Sequence, residues 1–258
     1  MTEGFIIQDG VLEAYTLRET FVRVPDGVEV IGKGAFKGCT SIEEVILPEN
    51  ITDIMKDAFK GCRNLKKINF PSKLTHVGDY AFYRCRSLQN VELPAAVKSL
   101  GNCVFLYCES LENVSIPGVT RLYNQVFFND INLKRIKISS DLDISCICDI
   151  FLGCSKISEI SLSDGTVYNI ESMIEIISSP SDVHPLVKAI VTDVYRMMDI
   201  RDFVLQKFLI NIKDLEIPNG ITSIAKSCFF DKKGLVSVKL PETLANIGSK
   251  AFRNSQIT

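Results

Sequence analysis

The chain has 258 residues, 46% of them hydrophobic and 23% charged, with a formal net charge of −2. That balance supplies ample apolar material for a core and argues against general affinity for nucleic acid. It contains no apolar run of the ~18 residues a membrane span needs, and Met1 to Gly10 lacks a basic segment followed by an apolar one, so no signal peptide is expected in this sequence.

The first element is Phe5-Ile6-Ile7-Gln8-Asp9-Gly10-Val11-Leu12. Asp-Gly between two apolar runs is a hairpin signal. Such a hairpin would cap the first edge of the strands downstream, and residues 1–23 are assigned to it. From 24 to 162 a unit recurs at a 23-residue step. Phe36, Phe59, Phe82, Phe105, Phe128 and Phe151 mark it, as do Pro25, Pro48, Pro71, Pro94 and Pro117. Cys39, Cys62, Cys85 and Cys108 keep the same step, and Cys154 lies two steps further on. A period of this length implies a solenoid in which each unit buries its apolar face against its neighbours. The whole of 1–258 is therefore expected to be one elongated domain.

Each unit carries one strand of the form Leu65-Lys66-Lys67-Ile68-Asn69-Phe70, with Leu65, Ile68 and Phe70 inward and Asn69 outward. The equivalents fall at 20–24, 42–47, 88–93, 111–116, 133–138, 157–162, 212–217 and 235–240, which predicts a long parallel sheet. Proline then ends the pairing, because it has no N–H to donate. A second short extended piece comes next, as in Val28–Ile31 and Leu74–Val77, and then a turn with an Ala-Phe pair. Truncating any one of these phenylalanines should cost about 3–5 kcal/mol.

Residues 163–211 interrupt the period. Ile170, Met173, Ile174 and Ile177 share one helical face, and Pro180 ends that run. Ser181 or Asp182 could cap a second helix carrying Leu186, Ile190, Val194 and Met197, and Asp199 a third carrying Phe203, Val204 and Phe208. The expectation is a three-helix insertion in one repeat. Its apolar stripe either packs on the solenoid or stays open as a partner site, with Tyr195, Arg196 and Arg201 on the rim. The repeat resumes over 212–258, with Pro218, Pro241, Phe229 and Phe252. The strand at 235–240 has no cap after it in this sequence, so a homodimer through that edge is one expected outcome.

These units resemble the leucine-rich repeats of bacterial surface-antigen (BspA-like) type. The residues that carry the resemblance are Ile31-Gly32-x-x-Ala35-Phe36-x-x-Cys39-x-x-Ile42-x-x-Val45-x-Leu47-Pro48 and Val77-Gly78-x-x-Ala81-Phe82-x-x-Cys85-x-x-Leu88-x-x-Val91-x-Leu93-Pro94. It covers about 5–162 and 212–258. The resemblance implies an α/β solenoid: a right-handed leucine-rich-repeat superhelix with a parallel concave sheet and no catalytic centre. It also implies protein binding or adhesion, often at a cell surface, although without a signal peptide the chain as given reads as cytoplasmic.

Nine cysteines is an odd number, so at least one is unpaired within the chain. Identical side chains stacked about 4.8 Å apart fit disulfide geometry poorly, which favours buried free thiols. Zinc is the alternative, but C-x2-C and H-x3-H spacings are absent and Cys146-x-Cys148 alone is weak. Neither His76 nor His184 lies in a nucleophile motif, and no phosphate loop is present. Hence no catalytic, metal or cofactor site is expected. A binding function would sit on the outward strand positions: Glu43, Glu44 and Ile46; Lys66, Lys67 and Asn69; Gln89, Asn90 and Glu92; Glu112, Asn113 and Ser115; Lys134, Arg135 and Lys137; Ser158, Glu159 and Ser161. Mixed charge there suits a solvated face as well as a protein-binding one, with a basic spot at Lys134, Arg135 and Lys137. The absence of aromatics at these positions disfavours stacking on sugars or single strands. The leading function is a non-enzymatic module that binds protein; a self-assembling structural unit is the alternative.

Overall fold

Leu, Ile and Val alternate with Glu, Lys and Asn along each strand, so one face can be buried while the other meets water. The computed structural model describes residues 3–143, 145, 149–154, 156–169, 184–195, 198–201, 204–208, 214–217 and 220–255, with side chains left aside at 194–195, 198–201, 204–208 and 214. Its chain opens on an antiparallel hairpin, β1 (Phe5–Gln8) and β2 (Val11–Tyr15). Asp9 and Gly10 turn it in left-handed conformations, φ 50° and 77°, which explains the Asp-Gly pair.

Two kinds of strand then alternate. The first kind is β3 (Phe21–Arg23), followed after a tight corner by the second kind, β4 (Val30–Ile31). The pattern continues with β5 (Glu44–Ile46), β6 (Asp53–Ile54), β7 (Lys67–Ile68), β8 (His76–Val77), β9 (Asn90–Glu92), β10 (Ser99–Leu100), β11 (Asn113–Ile116) and β12 (Arg121–Leu122). Next come β13 (Arg135–Ile138) and β14 (Glu159–Leu162). Short strands form one ladder, β1-β2-β4-β6-β8-β10-β12, parallel after the hairpin. A third ladder runs through the turns: Phe36 N donates to Ala58 O at 2.8 Å, Phe59 N to Ala81 O at 2.8 Å and Phe82 N to Val104 O at 2.9 Å. The fold is thus a parallel-sheet β-solenoid, with backbone pairing on three sides.

Its core is a stack of rings. Phe36, Phe59, Phe82, Phe105, Phe127 and Phe151 lie at centroid spacings of 4.9, 5.2, 5.4, 5.5 and 5.5 Å. Phe127 takes the place expected for Phe128. Pro117-Gly118-Val119 is one residue shorter than Pro94-Ala95-Ala96-Val97, which moves the next ring back by one. Gly118 permits the short corner, since a Cβ there would lie 2.1 Å from Ala95 O. The cysteine column is explained by donors. Cys62, Cys85, Cys108 and Cys154 are free and buried, and each thiol donates to a phenylalanine carbonyl of the preceding turn at 2.9–3.3 Å. Cys146 and Cys148 lie outside the described residues.

The long sheet is divided rather than continuous. Ladders run β3-β5-β7 and β9-β11-β13-β14, and β15 (Val167–Asn169) then returns antiparallel on β14 and occupies that edge. After it the described chain forms one helix, α1 (Pro185–Tyr195). Pro185 suits a first helical position, and His184 Nδ1 accepts from Leu186 N at 3.3 Å. Leu186, Val187, Ile190 and Val191 are buried in the core, so the expected stripe packs at Leu186 and Ile190. The first expected helix, from Ile170, lies outside the described residues.

No third helix forms at the place expected. Instead β16 (Met198–Arg201) and β17 (Val204–Phe208) make an antiparallel hairpin. Its register repeats the first hairpin pair for pair. Met198 faces Phe208 as Phe5 faces Tyr15, Arg201 faces Val204 as Gln8 faces Val11, and both hairpins carry a bulge between their second and third residues. Both then pair in parallel with a short strand. Leu12 meets Ile31 of β4, and Leu205 meets Ile224 of β19 (Ser223–Ile224). With β18 (Asp214–Glu216), β20 (Ser237–Lys239) and β21 (Asn246–Ile247), the chain forms two further ladders, β16-β17-β19-β21 and β18-β20. Phe229 and Phe252 stack at 4.9 Å, as the earlier rings do.

Candidate functional site

Parallel pairing carries the outward positions into rows. Asn90, Asn113, Arg135 and Glu159 are cross-strand partners in turn, and so are Glu92, Ser115, Lys137 and Ser161. The structure therefore brings Asn90, Glu92, Asn113, Arg135 and Lys137 onto one sheet face, with Gln89, Glu112 and Lys134 at its margin. Lys66 and Lys67 stand on the neighbouring ladder.

Part of this face is paired with itself. Lys66 meets Glu43 at 2.8 Å and Lys134 meets Glu112 at 3.2 Å, both half-exposed pairs that contribute at most about 1 kcal/mol. Asn113 Nδ2 donates to Asn90 Oδ1 at 2.6 Å. Asn69 is a fold residue as much as a surface one: Leu47 N donates to its Oδ1 at 2.7 Å, and its Nδ2 donates to Leu47 O at 2.9 Å. Glu92, Glu159, Lys67, Arg135 and Lys137 make no ion pair with a described residue. Arg135 and Lys137 are both exposed. On the rim of the interruption, Tyr195 ends α1 and Arg201 ends β16, while Arg196 lies outside the described residues.

A second surface was not visible in the sequence. Between the alanine-phenylalanine turns, Tyr80, Tyr83, Tyr107 and Phe128 form an edge-to-face chain with centroid spacings of 5.9, 6.1 and 6.4 Å. Lys60 lies 5.0 Å from the Tyr80 ring and 5.3 Å from Tyr83, and Arg84 lies 5.1 Å from Tyr83 and 5.7 Å from Tyr107. These residues come from four repeats and from different turn positions, so only the register joins them. Beside them runs an open groove of about 660 Å³ lined by Lys56, Asp79, Tyr80, Asn102, Cys103 and Asn124 among others.

Buried titratable groups serve the fold. Asp193 of α1 accepts from Asp149 N at 2.9 Å and from Phe151 N at 2.7 Å, and burial pushes its carboxyl pKa up. In inner turns the phenylalanine N–H donates to the next turn; at Phe151 the helix carboxylate takes that role. Burial likewise pushes the Cys62, Cys85, Cys108 and Cys154 thiols up, which keeps them protonated donors rather than reactive thiolates. Among the described residues no group of three His, Cys, Asp or Glu side chains is placed to hold a metal ion, and no helix is long and apolar enough to cross a membrane.

The repeat, the stacked rings and the parallel ladders define a leucine-rich-repeat solenoid. The chain belongs to the BspA type leucine-rich repeat family, whose model matches residues 14–134, 75–175 and 198–258. Among solved structures, a leucine-rich repeat protein of T. pallidum is 28% identical, with a TM-score of 0.52, covering 58% of this chain and 72% of that one. A leucine-rich cell surface protein of Faecalibacterium prausnitzii is 22% identical, with a TM-score of 0.51, covering 96% of this chain and 71% of that one, a likeness of fold. No curated protein sequence matches the chain.

Proposed function

We propose that this protein is a non-enzymatic interaction module whose partner is another protein, held across the sheet face of β9, β11, β13 and β14. The observation that carries this reading is two exposed cations on one strand, Arg135 and Lys137, that make no ion pair with any described residue, in register with Glu92 and Glu159, which make none either. A registered, rigid sheet holds such side chains with little ordering cost on binding. Family membership supports the same reading, because repeats of this kind are generally interaction modules. In this reading the solenoid winds right-handed, as parallel crossovers do, and the hairpin at 5–15 closes its first edge. Tyr195, Arg196 and Arg201 form a secondary contact at the rim.

Quantitative affinity capture with the full chain tests this. Arg135→Glu with Lys137→Glu should reduce recovery of a specific partner by about tenfold or more, as loss of charge-assisted contacts does. Equal recovery by the variant contradicts the sheet-face reading. A concentration-dependent dimer with no captured partner would instead favour self-assembly.

A further inference from the structure

Every described turn of this solenoid places two residues in the left-handed region, and the second of them shows what the position tolerates. It is Gly38, Gly61, Asn129, Gly153, Asp231 and Asn254 in six turns, the residue types that accept positive φ at low cost. Arg84 and Tyr107, in adjacent turns, break that rule at φ 60° and 63°. The first position accepts bulky residues, Tyr80, Gln125 and Lys250 at φ 57°, 54° and 59°; what sets Arg84 and Tyr107 apart is that every other described turn avoids bulky residues at the second.

The fold does not need them, since a turn with glycine at the same place is formed at Gly38 and Gly61. What the two residues create is the half-exposed chain of Lys60, Tyr80, Tyr83, Arg84, Tyr107 and Phe128. Lys60 is answered by Asp57 at 3.1 Å, but Arg84 makes no ion pair with a described residue; its Nε is buried and has no hydrogen-bond partner. The rings of Tyr83 and Tyr107 lie on the guanidinium at 5.1 and 5.7 Å. With Nε buried, a carboxylate can be met end-on, by the terminal Nη groups of the stacked guanidinium. Tyrosine and arginine together are also the side chains most enriched where binding energy concentrates.

We propose that this turn surface is a second binding surface, and that its occupant is an acidic segment of a partner protein, with a Glu or Asp carboxylate on Arg84 and apolar contact on Tyr107 and Phe128. This rests on the protein-binding reading above but uses a different face.

The test is fluorescence anisotropy of a labelled oligoglutamate peptide on the full chain, with Arg84→Gly and Tyr107→Asn as variants. Both substitutions install residues that neighbouring turns already use, so the melting temperature should stay unchanged or rise. The peptide should bind the natural chain, and each variant should weaken it by about tenfold. Absence of binding, unchanged binding by Arg84→Gly, or a marked fall in melting temperature would each overturn the proposal. So would displacement of the peptide by inorganic sulfate at equal charge, which would indicate an anion site only. Loss of binding in Arg135→Ala with Lys137→Ala, but not in Arg84→Gly, would move the contact to the sheet face and leave that reading standing.

Discussion

Asp130 stands where the neighbouring repeats place a cysteine. It is buried, and one oxygen accepts from Cys108 N at 2.8 Å while the other has no partner. Burial holds its carboxyl well above the usual carboxylate range. The native state therefore binds this proton more tightly than the unfolded chain does. Stability is highest at low pH on this group's account and falls as pH rises from about 4 through the raised native value. Asp130→Cys should remove that dependence and restore the thiol donor of the column. At neutral pH it should stabilise by about 1–3 kcal/mol, the usual cost of an unsatisfied buried polar group. Urea titrations at several pH values check this, and a variant that is less stable at neutral pH, or whose pH profile is unchanged, contradicts it. The sequence hid Asp130 for the same reason it hid Phe127. A repeat one residue short shifts both by one place, and a search at fixed step passes over them. Arg84 and Tyr107 were hidden differently, because nothing in a side chain's identity announces the sign of its φ.

At the scale of elements, the strands and corners were legible because period and alternation agree. Leu65 and Ile68 face in and Lys66 and Lys67 out, as their spacing requires. The hairpin at 198–208 was not legible. Asp199 followed by Phe203, Val204 and Phe208 satisfies a helix start and a helical face as well as it satisfies two strands, and short apolar runs do not separate the two. Its distance from the first hairpin is not a multiple of the repeat, so the period did not reveal it. The two hairpins share one register, bulge included, between their paired strands, which leads to an expectation that the sequence at 5–15 can replace that at 198–208. Replacing 198–208 by the residues of 5–15 should shift the melting temperature by no more than about 4 °C, equivalent to roughly 1 kcal/mol in a chain of this size. Calorimetry on the full-length chimera measures it. A larger fall would mean that the match is one of backbone alone.

For the whole molecule, what matters is that the solenoid converts a linear repeat into faces. One carries charged rows in register on β9, β11, β13 and β14; another carries the tyrosine and arginine chain across the turns. Both were assembled from residues far apart in sequence, and the first was readable because parallel pairing is a consequence of the period. The second needed the observed turns. Helix α1 and β15 end the first ladders, with Asp193 standing in for a further turn at Phe151. A protein partner on the proposed sheet face would shield it from solvent. Hydroxyl-radical footprinting of the full chain with a captured partner measures that shielding. Reduced labelling is expected at residues 89–92, 112–115 and 134–137, with labelling of the N-terminal hairpin at 5–15 unchanged. Full labelling of those three segments in a saturated complex would contradict the sheet-face reading.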